Sequence, residues 1–144
     1  MMVLLVSTLL TSAFANKTNG VNEKAVSSFR NEFKQAEEVK WEAGKDLAKV
    51  TFKLNDQVMF AYYSDNGELV ALTRNILSSQ LPIHLMTSLS KNFEGYWISD
   101  LFEVSATESR SYYVTIENAD YTLVLKSEDA GAWQLYKKTK KNID

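Results

Sequence analysis

Apolar and polar residues alternate through Lys49-Val50-Thr51-Phe52-Lys53 and again through Val58-Met59-Phe60-Ala61-Tyr62, with Asn55-Asp56 between the two runs. A period of two marks a half-buried strand, and a two-residue polar link between such runs marks a tight hairpin. Closing that turn sets Phe52 opposite Met59 and Val50 opposite Ala61, with Thr51 opposite Phe60 and Lys49 opposite Tyr62 on the other side. One face of the hairpin is therefore apolar, and the other mixes aromatic and basic residues.

The pattern recurs. Residues 50–67 (VTFKLNDQVMFAYYSDNG) lie over residues 114–131 (VTIENADYTLVLKSEDAG) without a gap, matching Val50/Val114, Thr51/Thr115, Asp56/Asp120, Asp65/Asp129 and Gly67/Gly131. A turn at Ala119-Asp120 sets Ile116 opposite Leu123 and Val114 opposite Leu125. Asp65-Asn66-Gly67 and Asp129-Ala130-Gly131 read as three-residue loops ending in a left-handed glycine, which puts Leu69, Ala71, Trp133 and Leu135 on the apolar side.

A helical stripe precedes each strand set. Val26, Phe29 and Phe33 recur at three- and four-residue spacing behind a capping Asn22, and Met86, Leu89 and Phe93 do the same after Ser78-Ser79-Gln80-Leu81-Pro82, where a serine is the expected cap. Strands are expected at 39–43, 47–54, 58–64, 68–76, 96–105, 111–118, 121–127 and 132–138, and links this short join antiparallel neighbours. The expected class is α+β: two tandem helix-plus-four-strand units, 22–76 and 79–138, forming one antiparallel sheet with the helices on one face. Residues 16–21 read as a flexible leader and 139–144 as a tail.

Composition narrows the setting. The 144 residues are 45% hydrophobic and 24% charged, with 16 basic against 18 acidic residues for a net charge of −2, as in one ordinary globular domain. The basic residues are dispersed except for Lys137, Lys138, Lys140 and Lys141, so a nucleic-acid footprint is not expected, and that cluster reads as part of a solvated end. The opening MMVLLVSTLLTSAFA, an apolar run ending in Ala13-Phe14-Ala15, matches a signal peptide over 1–15. With about 14 apolar or small residues it falls short of a membrane-spanning helix, so no stable membrane insertion is expected after cleavage. There are no cysteines, which removes disulfides, a thiol nucleophile and a lipid anchor through cysteine.

Catalytic patterns are missing. The only histidine, His84, sits in the second helical segment, so neither a hydrolytic triad nor a multi-histidine metal site is indicated. Glu37-Glu38, Asp100 with Glu103, and Glu128-Asp129 are the carboxylate pairs a hydrolase would need to bring together, and each also fits a turn or solvent edge. Asp65-Asn66-Gly67-Glu68 lacks the alternating ligands of a calcium loop, and the five glycines are not spaced for a phosphate loop. No cofactor and no metal are expected.

What remains is the sheet face away from the helices. On the hairpin registers it carries Lys49, Thr51, Lys53, Phe60, Tyr62, Val70 and Arg74 from the first unit, and Tyr113, Thr115, Glu117, Val124, Lys126 and Tyr136 from the second. Lys49, Lys53, Phe60, Tyr62, Arg74, Tyr113, Lys126 and Tyr136 are the candidate binding residues, because aromatic and basic side chains on an open surface match the composition of protein-binding sites. Trp41, Trp97 and Trp133 are expected in the core or at its margin.

The helix with Phe29 and Phe33, then Val39-Lys40-Trp41, Val50-Thr51-Phe52, Asp65-Asn66-Gly67-Glu68, Leu81-Pro82 and Tyr112-Tyr113-Val114 resemble the PepSY-like family of exported bacterial proteins, over about 22–137. The fold of that family is similar to the β-lactamase-inhibitor protein. The resemblance implies a periplasmic or secreted protein that binds or restrains an envelope or extracellular protein or peptide; no inhibitory loop motif accompanies it here. Three uses are thus in view: a non-enzymatic binding module on the open face, which would also serve a homodimer; a carrier of a small apolar ligand or lipid in a cavity lined by Phe33, Phe52 and Trp41; and a carboxylate hydrolase.

Overall fold

The computed structural model describes residues 20–142. The expected signal peptide and most of the leader lie outside these residues. Along the chain come α1 (Glu23–Glu32), β1 (Glu37–Ala43), β2 (Leu47–Leu54), β3 (Gln57–Ser64), β4 (Leu69–Asn75), a 3-10 turn at Ser78–Gln80, α2 (Ile83–Asn92), β5 (Trp97–Ala106), β6 (Arg110–Glu117), β7 (Tyr121–Glu128) and β8 (Gln134–Lys140). The eight strands form one antiparallel sheet in chain order, so the class is α+β with every strand beside its sequence neighbours. No described helix is long and apolar enough to cross a membrane.

Asn22 starts α1 as its composition requires: its Oδ1 accepts from the Lys24 backbone N–H at 2.8 Å. The start of α2 differs from expectation. Pro82 is its N-cap and makes no side-chain cap, while the preceding serines are taken up in the 3-10 turn, where Gln80 Oε1 accepts from the Leu77 N–H. Pro82 lacks an N–H and has extended backbone angles, so it leads into the first turn without a hydroxyl partner.

The β2–β3 register is the one alternation predicts, with Val50 facing Ala61, Phe52 facing Met59 and Lys49 facing Tyr62. β6–β7 agrees, pairing Val114 with Leu125 and Ile116 with Leu123. Buried residues of β1–β3 meet α1 in one cluster containing Ala25, Val26, Phe29, Trp41, Val50, Phe52 and Tyr63. Phe29 is its hub, with ring centroids 5.0 Å from Phe52, 5.4 Å from Phe33 and 5.5 Å from Trp41. A second cluster joins Leu85 and Leu89 of α2 to Leu101, Val114, Ile116, Leu123 and Leu125. Within α2 the buried stripe is Leu85 and Leu89; Met86, expected in it, lies on the exposed flank.

Turn chemistry differs between the hairpins that the sequence matches to one another. Asn55 and Asp56 both adopt positive φ, the mirror-image turn that matches strand twist. The corresponding Ala119-Asp120 turn does not; Asn118 instead supplies its side-chain Oδ1 to the N–H groups of Asp120 and Tyr121 at 2.9 and 2.7 Å. Gly67 has the left-handed φ of +80° expected of it, and a β-carbon there would sit 2.8 Å from the Lys24 carbonyl of α1. In the later hairpin Asp129 and Ala130 hold the positive φ values and Gly131 does not, correcting the expected left-handed glycine. The Asp129 carboxylate, accepting from the Arg110 N–H at 3.1 Å, ties the turn residue to the neighbouring hairpin.

Bulges set what faces where. Tyr62 pairs with Ala71 but Tyr63 pairs with Leu69, so Val70 is the extra residue of a bulge. Leu69 stays on the helix side as expected; Ala71 moves to the open side, and Leu72 and Arg74 turn toward the helices. A slip of one residue reverses every later side chain. Arg74 consequently meets Glu103 across β4–β5, with Nε to Oε1 at 3.2 Å and Nη2 to Oε2 at 3.5 Å, and Ser105 Oγ donates to Glu103 Oε1 at 3.4 Å. Glu103 is buried, and its carboxylate is held by the forked guanidinium and a hydroxyl.

Two stability tests follow from these contacts. Gly67→Ala is expected to destabilise by about 1–3 kcal/mol through left-handed strain alone, with the α1 clash adding to it, and Gly131→Ala by less than about 1 kcal/mol; parallel urea titrations compare them. Arg74→Met leaves a buried carboxylate unpaired and is expected to cost about 1–3 kcal/mol, discounted for the partly exposed guanidinium, whereas Arg74→Met/Glu103→Leu recovers most of it.

Candidate functional site

The sheet face opposite the helices is covered by no described element of the chain. Its rows can be read across the ladder: Lys40, Thr51, Phe60, Thr73, Val104, Ser111 and Glu128 are successive partners, and beside them run Asn75, Phe102, Tyr113, Lys126 and Gln134. Strands about 4.8 Å apart place Phe60 roughly 14 Å from the β6 residues of its row. The β4–β5 junction lies between them without interrupting the face.

Two aromatic–basic groups stand on it. On the β2–β3 side, Lys49 Nζ lies 4.8 Å from the Phe60 ring centroid and 3.9 Å from Glu42, and Lys53 lies 3.6 Å from Glu38. Tyr62 and Lys49 border a shallow depression closed by the β1–β2 turn at Gly44, Lys45 and Asp46. On the β5–β8 side, Phe102 stacks on Tyr113 at 5.1 Å with planes 8° apart, and Tyr136 meets the other side of Tyr113 edge-on at 5.6 Å. Lys126 lies 5.5 Å over the Tyr113 ring and 2.6 Å from Glu128. The Glu128 carboxylate and then Tyr113 hold the Lys126 ammonium above the ordinary lysine range.

Seven of the eight candidate residues, namely Lys49, Lys53, Phe60, Tyr62, Tyr113, Lys126 and Tyr136, share this face. Arg74 does not, for the bulge reason given above. Phe60, Tyr62 and Tyr113 are half-buried by neighbouring side chains, while Tyr136 is 65% exposed. Tyr136 is the extra residue of a bulge in β8, since Val124 pairs with Lys137 and Leu125 with Leu135. Phe102 escaped the sequence reading, which assigns no register across the β5–β6 turn; from that turn residues 100–105 pair with β6 without interruption, and the alternation of Leu101, Glu103 and Ser105 against Tyr112 and Arg110 was the available signal.

Trp97 is a correction too. Expected at the core margin, it is 52% exposed on the open face, opposite Glu117 and beneath Lys141 Nζ at 4.8 Å. Lys141 also approaches Glu117 at 3.1 Å, and Thr122 Oγ1 donates to the same carboxylate at 3.2 Å. Ser99, Lys141 and Thr122 together hold the Glu117 carboxyl below the ordinary glutamate range. Ser99 has one proton and a second acceptor in reach, the Thr115 carbonyl at 3.4 Å.

Asp100 and Glu103 do not converge. Asp100 pairs with Thr115 on the open side and accepts from Asn75 Nδ2 at 2.8 Å, while Glu103 faces the helices. No group of three metal-ligating side chains occurs among the described residues. Phe33, Phe52 and Trp41, the residues a carrier cavity would require, are engaged in the ring contacts around Phe29. His84 is exposed and its Nε2 lies 2.6 Å from the Ala130 carbonyl, a link between α2 and the β7–β8 turn.

No family model matches the chain, and no curated protein matches it. Solved structures do. A BLIP-like protein from Bacteroides fragilis aligns with a TM-score of 0.69 at 14% identity, over 85% of this chain and 89% of that one. A DUF2874 family protein from Bacteroides uniformis aligns at 0.72 and 10% identity, over 82% and 88%. A candidate periplasmic protein of Bacteroides eggerthii aligns at 0.71 and 10% identity, over 82% and 87%. The chain thus shares the BLIP-like fold, in agreement with the fold its resemblance implied.

The Glu117 cluster makes a pH test. A depressed carboxyl contributes stability above the unfolded-state pKa and loses it as the pH falls through the lower folded-state value. The Glu117 side-chain carbon is expected to titrate below the exposed glutamates in NMR spectra, and Ser99→Ala to move that midpoint upward.

Proposed function

We propose that this chain is an exported, non-enzymatic module, PepSY-like in kind, that binds a protein or peptide on the open face of its sheet. It is built in this reading from two tandem helix-plus-four-strand units, 22–76 and 79–138, and works in the periplasm or outside the cell. The observation that carries the proposal is the Phe102–Tyr113–Tyr136 row with Lys126 over it. Three rings and an ammonium stand on a face that the chain's own helices leave uncovered. Rigid aromatics with few rotamers give contact area at low entropic cost, which is what anchors an interface.

Support for export comes from the terminal apolar segment and from the candidate periplasmic protein of the same fold. Fold likeness at this identity says nothing about the partner, so inhibition is not carried over. The carrier and hydrolase alternatives are less favoured, since their residues are spent in ring packing or point to opposite faces.

Capture from cell-envelope extract tests the reading, comparing the parent with Tyr113→Ala/Tyr136→Ala and with Phe60→Ala/Tyr62→Ala, each checked for an unchanged melting profile. Loss of a specific partner, by about tenfold or more in recovery, is expected from at least the Tyr113/Tyr136 pair. Equal recovery of every partner by all three proteins would remove the open face as the site.

A further inference from the structure

The cluster Lys137, Lys138, Lys140 and Lys141 is not a tail. β8 continues through Lys140, and the Lys141 N–H still donates to the Asp120 carbonyl at 2.7 Å. It is an edge strand of the sheet, with all seven residues exposed. In an antiparallel ladder, residues bonded to the inner neighbour alternate with residues whose N–H and C=O point away. With Lys141 bonded inward, Thr139 and Lys137 also bond inward, and Lys138 and Lys140 offer their backbone groups to the outside.

The two edges of the sheet are built differently. β1 is interrupted within its paired length: Glu37 pairs with Lys53 but Lys40 with Thr51, and Glu38 between them has φ +51°. Such a kink blunts an edge against further pairing. β8 carries its bulge near its start, at Tyr136, and then runs in regular register from Lys137 to Lys140 without proline or glycine. Charge divides the edges as well. Glu38 and Glu42 of β1 are matched by Lys53 and Lys49, whereas among the described residues no carboxylate lies within ion-pair distance of Lys137, Lys138 or Lys140. Lys138 lies over the Tyr121 ring instead, at 4.3 Å.

Lysines on an edge repel another positive edge, and the same feature selects an acidic one. Register puts Lys137 on the open side of the sheet and Lys138 and Lys140 on the helix side, so positive charge flanks the free backbone on both sides. We propose that β8 is a docking edge for an extended acidic segment of a partner protein, which adds to the sheet as a ninth strand. The N–H and C=O groups of Lys138 and Lys140 would supply the ladder, and carboxylates on the two faces of the incoming strand would meet Lys137 on one side and Lys138 and Lys140 on the other. The backbone groups of Lys138 and Lys140 lie beyond Tyr136, the one open-face aromatic that β8 carries, and the proposal stands without the aromatic row.

The test uses a fluorescein-labelled ten-residue peptide of Glu, Thr and Val and a second peptide of the same sequence with consecutive central backbone amides N-methylated, which blocks both strand edges, measured by anisotropy against the mature chain. Binding of the first that weakens about tenfold or more in the second, and about tenfold or more in Lys137→Ala/Lys140→Ala with unchanged melting, is the expected result. Protection of the Lys138 and Lys140 amides from hydrogen exchange should accompany it. Equal binding of the two peptides would reduce the edge to nonspecific charge attraction and overturn the proposal. So would no binding, or a mature chain that occupies this edge itself by assembling with concentration in a way the same double variant prevents. Failure of the open-face variants above leaves these outcomes unaffected.

Discussion

Everything on this molecule depends on β4 lying against β5. The residues packed under α1 and those packed under α2 form separate apolar clusters, and a smaller sheet would bury a smaller share of the chain's surface. The β4–β5 ladder runs from Ala71–Ala106 to Asn75–Phe102, making one sheet of eight strands and one uninterrupted face. The two clusters do not fuse across this junction. On the helix side the junction carries Arg74 and Glu103, a charged pair between two apolar regions. Such a pair is weak evidence for stability and a better device for register, because sliding β4 against β5 by one residue would leave the Glu103 carboxylate buried without its guanidinium.

The same junction also carries part of the open face. Thr73 and Val104 cross it as small, β-branched neighbours, with Phe60 beside Thr73 and Phe102 at the end of the ladder opposite Asn75, next to Tyr113. Lysines lie over several of these rings rather than reaching into water, covering apolar carbon with their stems and facing the quadrupole with their ammonium groups. The face is thereby kept wettable while its aromatic area remains available. Carboxylates sit beside two of the same lysines, Glu42 at 3.9 Å from Lys49 and Glu128 at 2.6 Å from Lys126.

How far this could be read in advance follows the physics of each signal. Period-two alternation and the turn residues at 55–56 and 119–120 are enough to place β2, β3, β6 and β7 in register, since only one pairing keeps the apolar Val50, Phe52, Val114 and Ile116 on a common side. Bulges have no such signature. Val70 is a β-branched residue indistinguishable by type from its neighbours, yet its extra step turns Arg74 from the open face to the helices. Ser99 does the same for Trp97, and Tyr136 for the lysines of β8. The matched Gly67 and Gly131 show the other limit: equal residues at equal positions, but only Gly67 is pressed against a helix carbonyl and takes positive φ.

Fold neighbours at 10–14% identity share the backbone plan while nearly every side chain differs. A meander of eight strands needs alternation, turns and bulges, and those requirements leave the open face and the last strand almost free to vary. In the proposed binding, specificity would come from what is particular to this chain at those places. Tyr136 is where they meet: its bulge ends the irregular start of β8, and its ring completes the aromatic row on Tyr113. A partner that seated an acidic strand along Lys137–Lys140 would bring its adjacent residues over Tyr136, so contacts at the edge and on the face would reinforce one another through local concentration rather than through any change of shape.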